Sequence, residues 1–339
     1  MNKMKLLKIS ISSLLLILAQ GCKSDINEIP DQVQEELSVT SEILMQEEAT
    51  ETSESSLEVF QPIYGNLEFD GDKRYYFVYL PENYSSSSKF PLVIYLHSYG
   101  WTPKQGMNYT MLHQVADAND FVMVFPSGNG NWNSGIGDNS RYPTPDMDDV
   151  GFLNALIDTL SNVYSLDLER VYATGYSNGG VMAYKLACQL SDRIAAIASV
   201  AGSLSTSTFE DCDPKRPVPI LHIHGTEDPW IPIEGIEGLL PVEETLDYWI
   251  EFNRCKESAT DLIDDSDPSD NSSAELHSYR DCSDGSIVIF YKVIDGGHTW
   301  PGAGPAGYPT GFTNQDFDAG MEIWNFFEGF RLTLPSENN

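Results

Sequence analysis

From Phe60 onward, short runs of β-branched and aromatic residues alternate with runs of helical period. The stretches 90–96, 121–125, 170–176, 194–201, 218–224 and 286–294 are largely apolar at consecutive positions, as strands covered on both faces are. Ahead of them, 63–69 and 75–80 flank Asp70-Gly71-Asp72 and predict an antiparallel hairpin. Helical patterns fall at 111–118, 149–163, 181–190, 242–253 and 319–330, with the carboxylates of Asp148 and Asp149 at the positive end of the second. A Gly- and Asn-rich loop containing Trp132 covers 126–145, and the acidic segment 261–273 reads as an excursion on the surface. Strands alternating with helices predict an α/β fold: a mostly parallel sheet with helices on both faces and no large separate lid.

Residues before 59 lack this pattern. Lys3, Lys5 and Lys8 precede an apolar run over 9–19, too short for a comfortable membrane span, so 1–21 reads as a signal peptide. Its Leu-Ala-Gln-Gly-Cys ending resembles a bacterial lipoprotein box, in which Cys22 becomes the acylated first residue; ordinary signal cleavage is the alternative. Residues 22–58 are rich in Glu, Ser and Thr and cannot bury enough apolar surface to offset their ordering entropy, which predicts an acidic disordered tether. The folded domain is expected over 59–332, with a tail at 333–339. An outer-membrane or cell-surface lipoprotein is the expected location, with a secreted or periplasmic protein as the alternative.

Composition narrows the partners. The chain has 339 residues, 51 acidic against 19 basic, and a formal charge of -32. Such a surface repels phosphate backbones, so nucleic acid is not an expected partner, and membrane contact is expected only through a lipid anchor. Setting Cys22 aside leaves Cys188, Cys212, Cys255 and Cys282, an even number that suggests two disulfides in an exported chain. Of the three pairings, Cys188 with Cys212 and Cys255 with Cys282 each close a short loop and are preferred. With no Cys-x-x-Cys and no close Cys/His spacing, a metal site is not expected. His222 and His224 share one face of a strand, but two ligands without a third make no site.

Gly175-Tyr176-Ser177-Asn178-Gly179 sits between the 170–176 strand and the helix that follows, the setting of a nucleophile elbow. A serine hydroxyl is a weak nucleophile and needs a histidine base, itself oriented by a carboxylate. In α/β-hydrolases the chain order is Ser, then Asp or Glu, then His. His298 follows the last strand in a Gly-rich loop and is the candidate base, whereas His277 precedes that strand. Asp228 follows the 218–224 strand and is the candidate acid, with Glu227 as rival. Oxyanion donors are expected from the amides of Asn178 and of Tyr99, with Ser98 as runner-up for the latter. Trp101, Trp132, Tyr176 and Trp230 lie on or beside loops at the expected site and are candidate substrate-binding residues, while Trp300 is expected to pack its own loop.

The runs Asp148-Asp149-Val-Gly-Phe, Arg170-Val-Tyr-Ala-Thr-Gly-Tyr-Ser-Asn-Gly-Gly, His222-Ile-His-Gly-Thr-Glu-Asp228 and Gly297-His298-Thr-Trp-Pro-Gly resemble the polyhydroxybutyrate depolymerase and feruloyl esterase family. These are exported α/β-hydrolases related to carbohydrate esterase family one, and the likeness covers roughly residues 60–332. The resemblance implies Ser177 as nucleophile, Asp228 as acid and His298 as base, and its cysteines support the disulfide reading. Members usually carry glycine where this chain has Ser98. The expectation is a serine carboxylic ester hydrolase without cofactor or metal, acting on feruloyl or acetyl esters of small molecules, oligosaccharides or polysaccharides. A hydroxyalkanoate polyester or oligomer is the alternative substrate; an acyltransferase with the same triad and a non-catalytic hydrolase-like binding protein are the alternative classes.

Overall fold

Ten strands form one sheet in the order β1-β2-β4-β3-β5-β6-β7-β10-β9-β8 in the computed structural model, which describes residues 62–137, 146–305 and 310–332. All of these fall in one unit, residues 61–339. The expected signal peptide, Cys22, the tether and the tail lie outside the described residues.

The strands β3 (Phe90–Leu96), β4 (Val122–Pro126), β5 (Leu166–Tyr176), β6 (Ala196–Val200), β7 (Ile220–Gly225) and β10 (Val288–Ile294) run parallel through the middle. Every residue of β3, β4, β6 and β7 is buried, which accounts for the unbroken apolar runs of β3 and β4 and the largely apolar β6, while β7 buries His222 and His224 as well. On one face, Leu92, Ile94 and Leu96 join a core with the helices α3 (Asp149–Ser161), α4 (Asn178–Gln189) and α6 (Val242–Asn253), through side chains such as Phe152, Met182 and Trp249. On the other lie α1 (Pro103–Thr110), α2 (Leu112–Asn119) and α7 (Ala319–Phe327). There Gly106 of α1 rides close over the Tyr95 ring, and Tyr172 stacks on Phe327 with ring centroids 4.7 Å apart. A short helix α5 (Thr206–Glu210) follows β6.

The expected hairpin is present as β1 (Ile63–Phe69) and β2 (Asp72–Tyr79), and β2 pairs antiparallel with β4. The far edge departs from expectation. Instead of a plain excursion, β8 (Glu257–Leu262) and β9 (Ser273–Arg280) form a second antiparallel hairpin that pairs through β9 with β10. All residues of β8 are exposed, so its sequence carries no apolar alternation to betray it. Only the connection over 263–272 is the acidic surface loop expected there. Cys255 and Cys282 are disulfide-bonded across the open end of this hairpin, and Cys188 is bonded to Cys212.

Candidate active site

The central strands deliver the candidate site residues at their carboxyl ends, where sites form in open parallel sheets. Ser98 and Tyr99 follow β3, Ser177 follows β5, Asp228 follows β7 and His298 follows β10. Ser177 takes φ 58° and ψ -120°, a conformation that costs an L-residue about 1–3 kcal/mol and is held by its surroundings. Its N–H donates to the Val200 carbonyl at 2.8 Å. Two glycines make the turn feasible. A Cβ on Gly175 would stand 2.4 Å from the backbone of Gly179, and one on Gly179 would stand 1.9 Å from the Leu96 carbonyl oxygen. The first turn of α4 therefore lies directly against the end of β3, with its positive end toward Ser177.

Asp228 and His298 meet in the structure. His298 Nδ1 lies 2.7 Å from Asp228 Oδ2, while Asp228 Oδ1 accepts from the amides of Trp230 and Ile231, both at 2.8 Å. A carboxylate can only accept here, so the imidazole carries its proton on Nδ1 and leaves Nε2 as a base. Burial acts to raise the Asp228 pKa, but the charge of His298 and its hydrogen bond, His224 and the Ile231 amide outweigh it and hold the carboxyl below the ordinary carboxylate range. The His298 backbone is fixed on both sides: its N–H donates to the Thr310 carbonyl, and its carbonyl accepts from the Tyr176 hydroxyl at 2.6 Å. Glu227, the rival acid, is exposed. His277 sits on the edge hairpin, bonded to Glu275 and Thr260.

Ser177 and His298 line one cavity of about 240 Å³ together with Ser98, Tyr99 and Asn178. Its remaining walls are Trp101, Trp230, Ile136 and Ile231. Two of the aromatic residues expected to bind substrate do not reach it. Trp132 is fully buried: its backbone N–H donates to Asn178 Oδ1 at 2.9 Å and its indole N–H to the His97 carbonyl at 3.0 Å. Tyr176 is fully buried too, packed between Trp101, Tyr109 and His298 with its hydroxyl spent on the His298 carbonyl. Both belong to the scaffold because each has a polar tip that satisfies a buried backbone group. Trp300 is buried and packs edge-on against Tyr95 of β3. Ile136 and Ile231 have no signature in the sequence, since single aliphatic residues in loops carry no periodic signal.

Asn178 serves the site twice. Its amide begins α4 beside Ser177, and its side chain ties down the loop carrying Ile136 by accepting from Trp132 and donating to Ser134 Oγ at 2.9 Å. His97 stabilises the same loop from below, accepting from the Gly128 amide through Nε2 and donating through Nδ1 to the Ser98 carbonyl.

His97, His222 and His224 are buried, and burial depresses the pKa of each, His97 to about 4 despite its bond to Ser98. In the unfolded chain they protonate near pH 6.5, so below that pH the unfolded state binds more protons and stability falls as pH drops. For His97 the loss runs from about pH 6.5 to 4 and amounts to roughly 3 kcal/mol. Asp228, depressed in the folded state, adds a loss only as pH falls below its unfolded value. Urea midpoints measured from pH 7 to 4 are expected to fall across this window, and His97→Gln is expected to flatten the profile.

Residues 69–254, more than half of the chain, match the Esterase family model, described as "Putative esterase". The chain is 30% identical over 258 residues to the bifunctional acetylxylan esterase/xylanase XynS20E of Neocallimastix patriciarum, covering 76% of this chain and 33% of that one. This chain thus spans about a third of that relative's length. It is 25% identical over 273 residues to feruloyl esterase D of Neurospora crassa, covering 77% of this chain and 83% of that one. The solved acetyl xylan esterase from Aspergillus awamori superposes with a TM-score of 0.52 over 78% of this chain and 98% of that one, and at 14% identity the likeness is one of fold. Sheet order, elbow and family match agree: the chain belongs to the Esterase family and has the α/β-hydrolase fold.

Proposed function

We propose that this chain is an exported serine carboxylic ester hydrolase that works through an acyl-enzyme, with feruloyl or acetyl esters of polysaccharide or its fragments as substrates. The observation that carries the reading is the 2.7 Å contact between Asp228 and His298 beside a cavity that both His298 and the strained Ser177 line. Ser177 Oγ attacks the ester carbonyl while His298 Nε2 takes its proton, then returns it to the leaving alcohol. Asp228 orients the imidazole, and the amides of Asn178 and Tyr99 receive the oxyanion at the positive end of α4. Water repeats the cycle on the acyl-enzyme and regenerates Ser177. The chemistry draws only on side chains, backbone amides and water.

Tyr99, Trp101 and Trp230 on the cavity wall suit a planar aromatic acyl group such as feruloyl, and the feruloyl and acetylxylan esterases among the relatives favour feruloyl and acetyl esters in turn. The basic and apolar N-terminal run and the two disulfides support export, and Cys22 is the proposed lipid-anchor site. The test is a panel of p-nitrophenyl acetate and butyrate, methyl ferulate, acetylated xylan and a hydroxybutyrate oligomer, with Ser177→Ala as control. Turnover of methyl ferulate or acetylated xylan that vanishes in the control is expected. Cleavage of the oligomer alone would replace the substrate class, and an active control would remove Ser177 from its role. Acyl glycerol or acyl trehalose formed in place of free acid would mark an acyltransferase.

A further inference from the structure

The geometry points to a buried hydrogen-bond chain, Tyr184–His222–His224, that positions Asp228, with His224 as the positioning residue. This rests on the reading of Asp228 as the acid. Tyr184 lies on α4, the helix that begins at Ser177, and its hydroxyl is 2.7 Å from His222 Nδ1. His222 Nε2 is 3.2 Å from His224 Nδ1, and the two rings, on one face of β7, stand within 2° of parallel. His224 Nε2 then reaches the Ile231 carbonyl at 2.8 Å and stands 3.5 Å from Asp228 Oδ2. All three side chains are buried to 1% exposure or less.

The direction of this chain is dictated by its ends. The Ile231 carbonyl and the Asp228 carboxylate only accept, so His224 carries its proton on Nε2 and accepts through Nδ1. His222 must then carry its proton on Nε2 and accept through Nδ1 from the Tyr184 hydroxyl. A proton on His224 Nδ1 would face the N–H of His222, so the pair works only when neutral, the state its burial favours. Besides His222, the charged and titratable groups that bear on His224 are Asp228, His298 and Glu234.

Ile231 closes the device. Its N–H donates to Asp228 Oδ1 while its carbonyl accepts from His224, so the backbone of one residue joins the acid to the chain. The turn so held also carries Trp230 and Ile231 into the cavity wall. His224 accordingly sets where Asp228 presents Oδ2 to His298, although it touches no substrate.

The test combines long-range ¹H–¹⁵N spectra of the wild-type imidazoles at pH 5–8 with kinetics of three variants. Both His222 and His224 are expected as the Nε2–H form without titrating. His224→Met, which removes the donor at similar volume, is expected to lower kcat about tenfold or more with KM within about twofold, and His224→Gln to recover kcat to within about threefold. Tyr184→Phe is expected to move the His222 Nδ1 resonance to that of an unbonded nitrogen. The inference is overturned if His224 is protonated on Nδ1, if His224→Met turns over at the wild-type rate, if Gln is as slow as Met, or if Tyr184→Phe leaves His222 unmoved. Should His224→Met fail to fold, the wild-type and Tyr184→Phe spectra decide. Wild-type turnover by Asp228→Asn would instead remove the acid itself, an outcome separate from the tautomers, which are read without turnover.

Discussion

Asp228→Asn is expected to lower kcat by about ten-thousand-fold with little change in KM or thermal midpoint. The reason lies in how the two oxygens are used. Oδ1 accepts from two amides, Trp230 and Ile231, and those N–H groups cannot turn away. The asparagine amide oxygen will stay on them, so its NH₂ must face His298. That donor forces Nδ1 to accept and moves the ring proton to Nε2, where a base needs a lone pair. Shape and packing are preserved while the tautomer is reversed. The check is kcat and KM on p-nitrophenyl acetate together with the melting curve; a loss smaller than about a hundredfold would show that Asp228 does not orient the base.

The largest loss of stability is expected from Arg74. Its guanidinium, 1% exposed, donates to Asp149 Oδ1 and the Ser127 carbonyl and lies 4.0 Å from the Phe152 ring centroid. Asp149 Oδ2 accepts from the Asn133 amide at 2.6 Å, so the pair braces the loop that leads to Ile136. Burial raises the Asp149 pKa even against the Asn133 amide, Arg74 and Lys185. Arg74→Met leaves that carboxylate buried without its partner, which costs about 3–5 kcal/mol. At about 2–4 °C per kcal/mol for a domain of this size, the thermal midpoint should fall by roughly 6–20 °C. A carboxyl whose folded pKa is raised binds its proton more readily when folded, so the deficit should shrink as pH is lowered from 7 to 5. Arg74→Met with Asp149→Leu should recover most of it, because no unpaired charge remains. Calorimetry of the single and double variants measures both effects, and a single variant within about 1 kcal/mol of wild type would refute the account.

What the sequence reveals tracks what burial imposes on it. The 90–96 and 242–253 stretches announce β3 and α6 because a two-sided core demands unbroken or helically spaced apolar side chains. β8 stays hidden because its residues face solvent on both sides, and its order comes from pairing and from the neighbouring disulfide. The helix α1 is polar and contains Gly106, yet it has a local signal that apolar period misses: Thr102 and Gln105 form a capping box with Pro103 at the first helical position. Asp148 and Asp149 look alike in sequence. The first caps α3 by accepting from Gly151, while the second finds Arg74 across 75 positions, a pairing no local pattern encodes. At the candidate site, the positions of Ser177, Asp228 and His298 after β5, β7 and β10 are readable because the chain order of these strands in the fold fixes them. Which aromatics face the cavity depends on loop paths that no local pattern encodes, and Trp132 and Tyr176 lie buried behind the wall.

Cys188 ends α4 and Cys212 precedes β7, so their bond joins the helix that starts at Ser177 to the strand that leads to Asp228. Synthesis in a thiol-rich cytosol would release polypeptide lacking that cross-link and its companion at the edge hairpin. Recombinant material is therefore best sought from hosts that route it through an oxidising compartment, and the glutathione ratio becomes a controlling variable whenever the protein is refolded from inclusion bodies.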